Sequence, residues 1–98
     1  MQVKFRPEAL QDIEEIADWY NEQGGKAVAL KMIERIECKI PLLENNPYLA
    51  PEYKAVPEVR FLTVADGLFI MFYRIKSETV EILHVRRSRQ KDWMGLQK

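Results

Sequence analysis

Four cations, Arg86, Arg87, Arg89 and Lys91, fall within six residues near the C-terminal end of this chain, and Trp93 follows them. Like charges packed that densely repel unless something acidic meets them, so the segment points to a surface that acts on a partner. Arg60 and Arg74 lie upstream, Tyr73 and Trp93 offer rings on which a base can stack, and His84 is the single histidine. Arginine and lysine can stabilise a phosphate under attack by a 2′-hydroxyl while another group moves the proton. For such cleavage the candidate residues are Arg60, Arg87, Arg89 and His84. For binding a target they are Arg60, Arg74, Arg86, Arg87, Arg89, Lys91 and Trp93. Plainer roles compete: arginines beside strands guard sheet edges or pair with acids, and a histidine inside a strand pattern is often a hydrogen-bonded structural residue. No metal-ligand cluster and no glycine-rich phosphate loop is written in the chain, so neither a metal nor a cofactor is expected.

Ninety-eight residues suit one domain, residues 1–98, because a chain of this size buries one core and not two. No apolar run reaches the roughly 18 to 20 residues of a membrane helix. The start, Met1-Gln2-Val3-Lys4-Phe5, lacks a signal-peptide core, so no membrane association and a cytoplasmic location are expected. Cys38 is the only cysteine, which excludes an internal disulfide, and its helical setting beside Glu37 suits a structural role. The net charge of zero hides a division. Residues 1–57 carry seven Lys/Arg against ten Asp/Glu, net −3, and residues 58–98 carry eight against five, net +3. A basic half attracts nucleic acid, acidic protein or phosphate.

The elements that must position these residues follow from local chemistry. Val3 and Phe5 alternate with polar neighbours, as in a short half-buried strand at a sheet edge. Pro7 fits the first turn of a helix, Glu8 complements its positive end, and Leu10, Ile13, Ile16 or Ala17, and Tyr20 recur at helical spacing until Gly24-Gly25 releases the chain. A second helix starts near Lys26, with Ala29, Ile33, Ile36, Ile40 and Leu43 as its apolar stripe. Pro41 removes the bond to the Glu37 carbonyl and predicts a kink or restart before the stop at Asn45-Asn46-Pro47. Residues 47–57, with three prolines, read as an ordered connection without regular structure. Strands follow over Val59 to Ala65, Leu68 to Ile75 and Val80 to Val85. Asp66-Gly67 is read as a two-residue hairpin turn, and Lys76 to Thr79 makes the next turn. Leu68 to Tyr73 is apolar on both parities, as a central strand should be, and simple alternation puts His84 with Val80, Ile82 and Arg86, and Arg87 with Leu83 and Val85. The expected fold is α+β, in the order β-α-α-β-β-β, a helical hairpin packed on one face of a small antiparallel sheet.

The run Glu8-Ala9-Leu10-Gln11-Asp12-Ile13 with Ile16 and Tyr20, then Leu43 to Pro47, Val59-Arg60-Phe61-Leu62, Tyr73-Arg74-Ile75, and Val80-Glu81-Ile82-Leu83-His84-Val85 with Arg89 and Trp93 together resemble the ParE/RelE toxin superfamily, nearer its ParE or plasmid-stabilisation branch. The resemblance spans nearly the whole chain. It implies the toxin of a type II toxin–antitoxin pair, held in a hetero-oligomer by a cognate antitoxin whose extended or helical tail wraps around it. ParE-like toxins are DNA gyrase poisons without established catalytic residues, whereas RelE-like toxins cut mRNA on the ribosome with basic side chains and a C-terminal tyrosine. Of the RelE cleavage positions, Arg60 is kept, the next two fall on Leu62 and Ile70, and the arginine after the last strand falls near Gln90, one place from Arg89. No tyrosine follows Trp93. The ParE histidine-glycine pair after the last strand is replaced by Arg87-Ser88, with an extra residue before Trp93. The resemblance therefore implies a gyrase inhibitor first, a ribosome-dependent mRNA endonuclease second, and a non-toxic antitoxin-binding domain third.

Overall fold

The computed structural model describes residues 1–88. A strand β1 (Gln2–Phe5) leads into helix α1 (Pro7–Gly24), α2 (Lys26–Glu37) and α3 (Ile40–Asn45), and then into the strands β2 (Arg60–Val64), β3 (Phe69–Lys76) and β4 (Thr79–Arg87). Pro7 occupies the first turn of α1, where a missing N–H costs nothing. Gly25 turns the chain between the two long helices at φ 93°, a conformation that side-chain-bearing residues avoid, while its N–H donates to the Asn21 carbonyl and its own carbonyl receives Ala29 N–H. At Pro41 the helix does not kink but stops. Glu37 ends α2, and α3 restarts at Ile40 with Pro41 in its first turn, where no N–H is required, and with Lys39 O receiving the N–H groups of Leu42 and Leu43.

The sheet order is β1-β4-β3-β2. The three C-terminal strands are antiparallel as expected, but β1 joins the edge of β4 in parallel, Gln2 opposite Thr79 through Phe5 opposite Ile82, so the sheet is mixed. A parallel neighbour needs a long crossover, and the whole helical segment supplies it. The helices cover one face. Ala9, Met32, Ile36 and Leu43 meet Val64, Phe69, Met71, Tyr73, Val80, Ile82 and Val85 in a single core. Two details of the expected stripes change: Ala9 is buried and Leu10 is 55% exposed, and Met32 sits in the core while Ile33 lies at its margin.

The turns exchange roles relative to their sequence signals. Ser77 and Glu78, both at positive φ, make the two-residue turn between Lys76 and its partner Thr79. Asp66-Gly67 lies in a wider loop, because pairing of β2 with β3 ends at Val64 and Phe69, and Ala65, Asp66 and Gly67 all take positive φ. Arg35 of α2 donates to Asp66 and holds this loop against the helices. The largest departure is a bulge in β4: Tyr73 pairs with Ile82 and Phe72 with His84, leaving Leu83 unpaired. The strand changes parity there. Arg87 therefore shares the helix-side face with Val85, Ile82 and Val80, and His84 and Arg86 lie opposite Phe72 and Ile70, where simple alternation separates these residues differently.

Candidate functional site

The end of β4 gathers most of the chemistry in the described residues. β1 follows β4 only as far as Ile82, whose carbonyl receives Arg6 N–H at 2.9 Å. Pro7 then diverts the chain into α1, which crosses the remaining edge of β4. There Asp12 takes the place of a strand. One carboxylate oxygen accepts Val85 N–H at 2.9 Å, lies 3.0 Å from His84 Nδ1, and stands 4.0 Å from Arg86 Nε. The same Nδ1 lies 3.3 Å from an Arg86 guanidinium nitrogen, so it faces both a carboxylate, which can only accept a proton, and a guanidinium, which can only donate one.

Two grooves flank this edge. On the helix side, a cleft of about 680 Å³ lies between Asp12, Glu15, Ile16 and Trp19 of α1 and Phe69, Val85, Arg86 and Arg87 of the sheet. The Arg87 guanidinium carbon stands 4.8 Å from the Trp19 ring centroid, 5.4 Å from Phe69 and 5.9 Å from Tyr20, within the range of cation–π attraction. Among the described residues it meets no acid. On the other face, a more apolar groove of about 450 Å³ is lined by Tyr53, Val56, Val59, Phe72 and Leu83, with His84 and Arg86 at its polar end. Tyr53 packs edge-on against Phe72 at 5.2 Å and Phe61 at 6.0 Å. Arg86 borders both grooves.

Among the described residues, Arg60 and Arg74 lie apart from Arg86 and Arg87. Arg60 donates to the Ala50 carbonyl at 2.6 Å, reaches Glu52 at 3.5 Å and stacks 5.1 Å above the Tyr48 ring, so it fastens the 47–57 connection to β2. Arg74 donates to Glu81 across the β3–β4 pair at 2.7 Å, and that hydrogen bond holds the Glu81 carboxyl below the usual glutamate range. Arg86 and Arg87 are neighbours on opposite faces of β4. Arg89, Lys91 and Trp93 lie outside the described residues. Tyr73 is unavailable for stacking on a base: it is fully buried, its hydroxyl donates to the Pro47 carbonyl at 2.8 Å, and burial pushes that hydroxyl above the ordinary phenol range. Asp12, Trp19 and Tyr20 complete the site without having been singled out as functional. Asp12 carried a readable signal, an acid one turn from both Ala9 and Ile16 on the buried face of the helix, which requires a partner across the interface.

The chain matches the model of the ParE toxin of the type II toxin–antitoxin system parDE over residues 3–92. Among solved structures it is similar to the chromosomal ParDE toxin–antitoxin system of P. aeruginosa, at 32% identity and a TM-score of 0.78 over 89% of this chain and 95% of that one. The isolated E. coli RelE toxin matches at 12% identity and TM-score 0.61 over 98% and 95% of the two chains, and the intact E. coli RelBE complex at 15% and 0.60 over 88% and 94%. Identities that low carry the fold alone. No curated protein matches. With residues 3–92 matched by that family and the fold shared with a ParDE structure at 32% identity, the chain belongs to the ParE toxin family of type II toxin–antitoxin systems.

Proposed function

We propose that this toxin inhibits growth by binding DNA gyrase, and that a cognate antitoxin neutralises it in a toxin–antitoxin hetero-oligomer. The observation that supports binding over RNA cleavage is the separation of Arg60 and Arg74 from Arg86 and Arg87. Arg60 and Arg74 are each engaged with acids and spread across the sheet, so they do not surround one open groove as a phosphate-cleaving constellation must. The gyrase surface would then be Arg86 and the chain beyond it, with Arg89, Lys91 and Trp93, where arginine supplies planar donors and tryptophan a large contact area. Both this target and the antitoxin belong to the cytoplasm. The test is induction of the toxin without antitoxin, following DNA and protein synthesis separately, with purified gyrase assayed for trapped cleaved DNA. Early loss of DNA synthesis supports the proposal; early loss of translation overturns it, and no growth inhibition points to a non-toxic antitoxin-binding domain.

One observation favours a second reading, ribosome-dependent RNA cleavage. Asp12 and Arg86 hold the His84 ring through its Nδ1, and His84 and Arg86 end a groove lined by Tyr53 and Phe72, rings against which bases could pack. In that reaction His84 takes the 2′-hydroxyl proton, the oxygen attacks the adjacent phosphorus, the bond to the 5′-oxygen breaks, and the departing oxygen takes a proton from water, leaving a cyclic phosphate and a 5′-hydroxyl. His84→Gln would abolish mRNA cleavage under this reading and leave gyrase inhibition intact under the first.

A further inference from the structure

We propose that Asp12, His84 and Arg86 form a proton-operated latch at the end of β4. With the imidazole neutral, Arg86 is held against the Asp12–His84 pair. When His84 takes a proton from solvent, Asp12 is committed to the ring and Arg86 swings free into the grooves it borders. The latch itself stands on the geometry of these three residues, and only its effect on the target rests on the toxin reading above.

The side chains compete for two atoms. His84 Nδ1 lies 3.0 Å from Asp12 Oδ2 and 3.3 Å from Arg86 Nη2, yet it holds either a proton or a lone pair. As an acceptor it receives an Arg86 N–H but turns its lone pair toward a carboxylate. As a donor it binds Asp12 but leaves Arg86 without an acceptor. Asp12 Oδ2 meets the same limit. Val85 N–H at 2.9 Å and a ring N–H together use both its lone pairs, so Arg86 Nε, 4.0 Å from that oxygen, finds none left there. The neutral ring is divided between incompatible neighbours, and an added proton resolves the division. The imidazolium donates to Asp12 and repels the guanidinium two residues along the same face.

Exposure decides which group moves. The Asp12 side chain is 18% exposed and tied to the strand edge through Val85 N–H. The Arg86 side chain is 51% exposed, and among the described residues its only hydrogen bond is the one to His84. The acid therefore stays and the arginine leaves.

The neighbouring charges do not share this role. From α1, Glu15 lines the helix-side cleft with Asp12 and Arg86; from the 47–57 connection, Tyr53 is the titratable group in the other groove; opposite His84 on β3 stands Phe72. Along the same face Arg74 is engaged by Glu81, and beyond the end of β1 Arg6 is paired with Glu8 at 3.8 Å. Among these residue types only histidine ordinarily changes charge between about pH 5 and 8. Acidification thus adds one positive charge at the end of β4 and unmasks a second, on the surface assigned above to the target, and an anionic partner is attracted more strongly there.

The side-chain nitrogen signals of His84 and Arg86, followed by NMR in the full chain from about pH 8.5 to about pH 5, test the latch without reference to any target. The two should share one transition, and the heteronuclear NOE of Arg86 Nε should fall across it to that of a mobile side chain. His84→Gln should abolish the Arg86 transition. Asp12→Asn, which keeps an acceptor for Val85 N–H, should leave Arg86 mobile at both ends of the range. An Arg86 side chain equally ordered throughout in the parent, or one that still loosens on acidification in His84→Gln, would overturn the proposal. Inhibition of purified gyrase, referred to gyrase without toxin, should be at least about threefold stronger at about pH 6 than at about pH 8 for the parent and the same at both for His84→Gln. Equal inhibition by the parent at both would overturn the effect on the target. No inhibition at either pH would strike the gyrase reading instead, while the Arg86 signals still decide the latch.

Discussion

Two arginines at opposite ends of the sheet are each held against aromatic rings, and their surroundings differ. Arg60 stacks on Tyr48 and spends its donors on Ala50 O and Glu52, closing the 47–57 connection over the outer edge of β2. That edge is further covered by Phe61 N–H to Pro51 O and by Lys39 Nζ to Thr63 O. Among the described residues, Arg87 stacks on Trp19, Tyr20 and Phe69, finds no acid, and lies beside an edge where Asp12 accepts Val85 N–H. A sheet edge left open invites another chain, so proteins normally close it. The closed end shows how this fold finishes an edge when only its own stability is at stake. At the Arg87 end the described residues leave Trp19 46% exposed and give Arg87 no acid, so a partner could add there the contacts that the Arg60 end makes internally.

Stability measurements can break that comparison. The largest expected effect is in the shared core beneath both ends: Ile36 is fully buried, and Ile36→Ala should cost about 2 to 5 kcal/mol. Trp19→Ala at the open end should cost less than about 1 kcal/mol despite removing a larger side chain, because its ring is half in solvent. Denaturant melts of the two variants decide the matter, and a larger loss at Trp19 would mean that the cleft wall belongs to the core. Next in size, Arg60→Ala should lose about 1.5 to 3 kcal/mol, the range of hydrogen bonds to charged groups. Arg87→Ala should lose under about 1 kcal/mol, since cation–π contacts at accessible sites are weak. Equal losses would remove the distinction between a structural and an interactive arginine.

Asp12 sharpens it. Replacing Asp12 by Ala leaves Val85 N–H without its acceptor in a half-buried position and should cost about 1 to 3 kcal/mol, while Asp12→Asn keeps an acceptor and should recover part of that loss. Thermal unfolding of both, with the His84 imidazole followed by NMR, would show whether the carboxylate serves the strand edge or the ring. If Asn and Ala lose the same amount, the backbone bond contributes little and the contact to His84 is what matters.

The parts of this molecule that sequence reveals are those set by chemistry within a few residues. Pro7, Gly25 and Pro41 delimit helices because each changes what its own backbone can do, and the helical order followed directly. The bulge at Leu83 was hidden because Ile82, Leu83 and Val85 are apolar on both parities, so nothing in the run marks where the pleat slips. The parallel pairing of β1 was hidden for a different reason: four residues fix a strand but not its neighbour. At the site, the count of cations was legible and their fates were not. Glu81 reaches Arg74 across a strand pair and Glu52 reaches Arg60 from a loop, and such partnerships exist only once the chain is folded. Arg86 and Arg87, adjacent in sequence, take opposite faces of β4 for the same reason, so that Arg86 borders both grooves and Arg87 the helix-side one.

The smallest effect concerns the face of the sheet away from the helices, where Glu81 of β4 meets Arg74 of β3. Its carboxyl is held below the usual glutamate range chiefly by the Arg74 hydrogen bond. A group whose folded pKa is lowered contributes stability above its unfolded pKa and loses it as the pH falls through the folded value. Glu81→Gln should therefore lower the melting temperature slightly near pH 7, and the gap to the parent should close on acidification to about pH 3. Tyr73, on the helix side, behaves in the opposite sense. Burial raises its pKa, so its contribution is complete below the ordinary tyrosine pKa and is lost as the pH rises through the folded value, and Tyr73→Phe should flatten the alkaline limb above about pH 10. Melting curves of the parent and both variants across that range would separate the two limbs. Should Glu81→Gln leave the acid limb unchanged, the cross-strand pair is an ordinary exposed ion pair worth almost nothing, and the arginine at Arg74 would be as available to a partner as the one at Arg87.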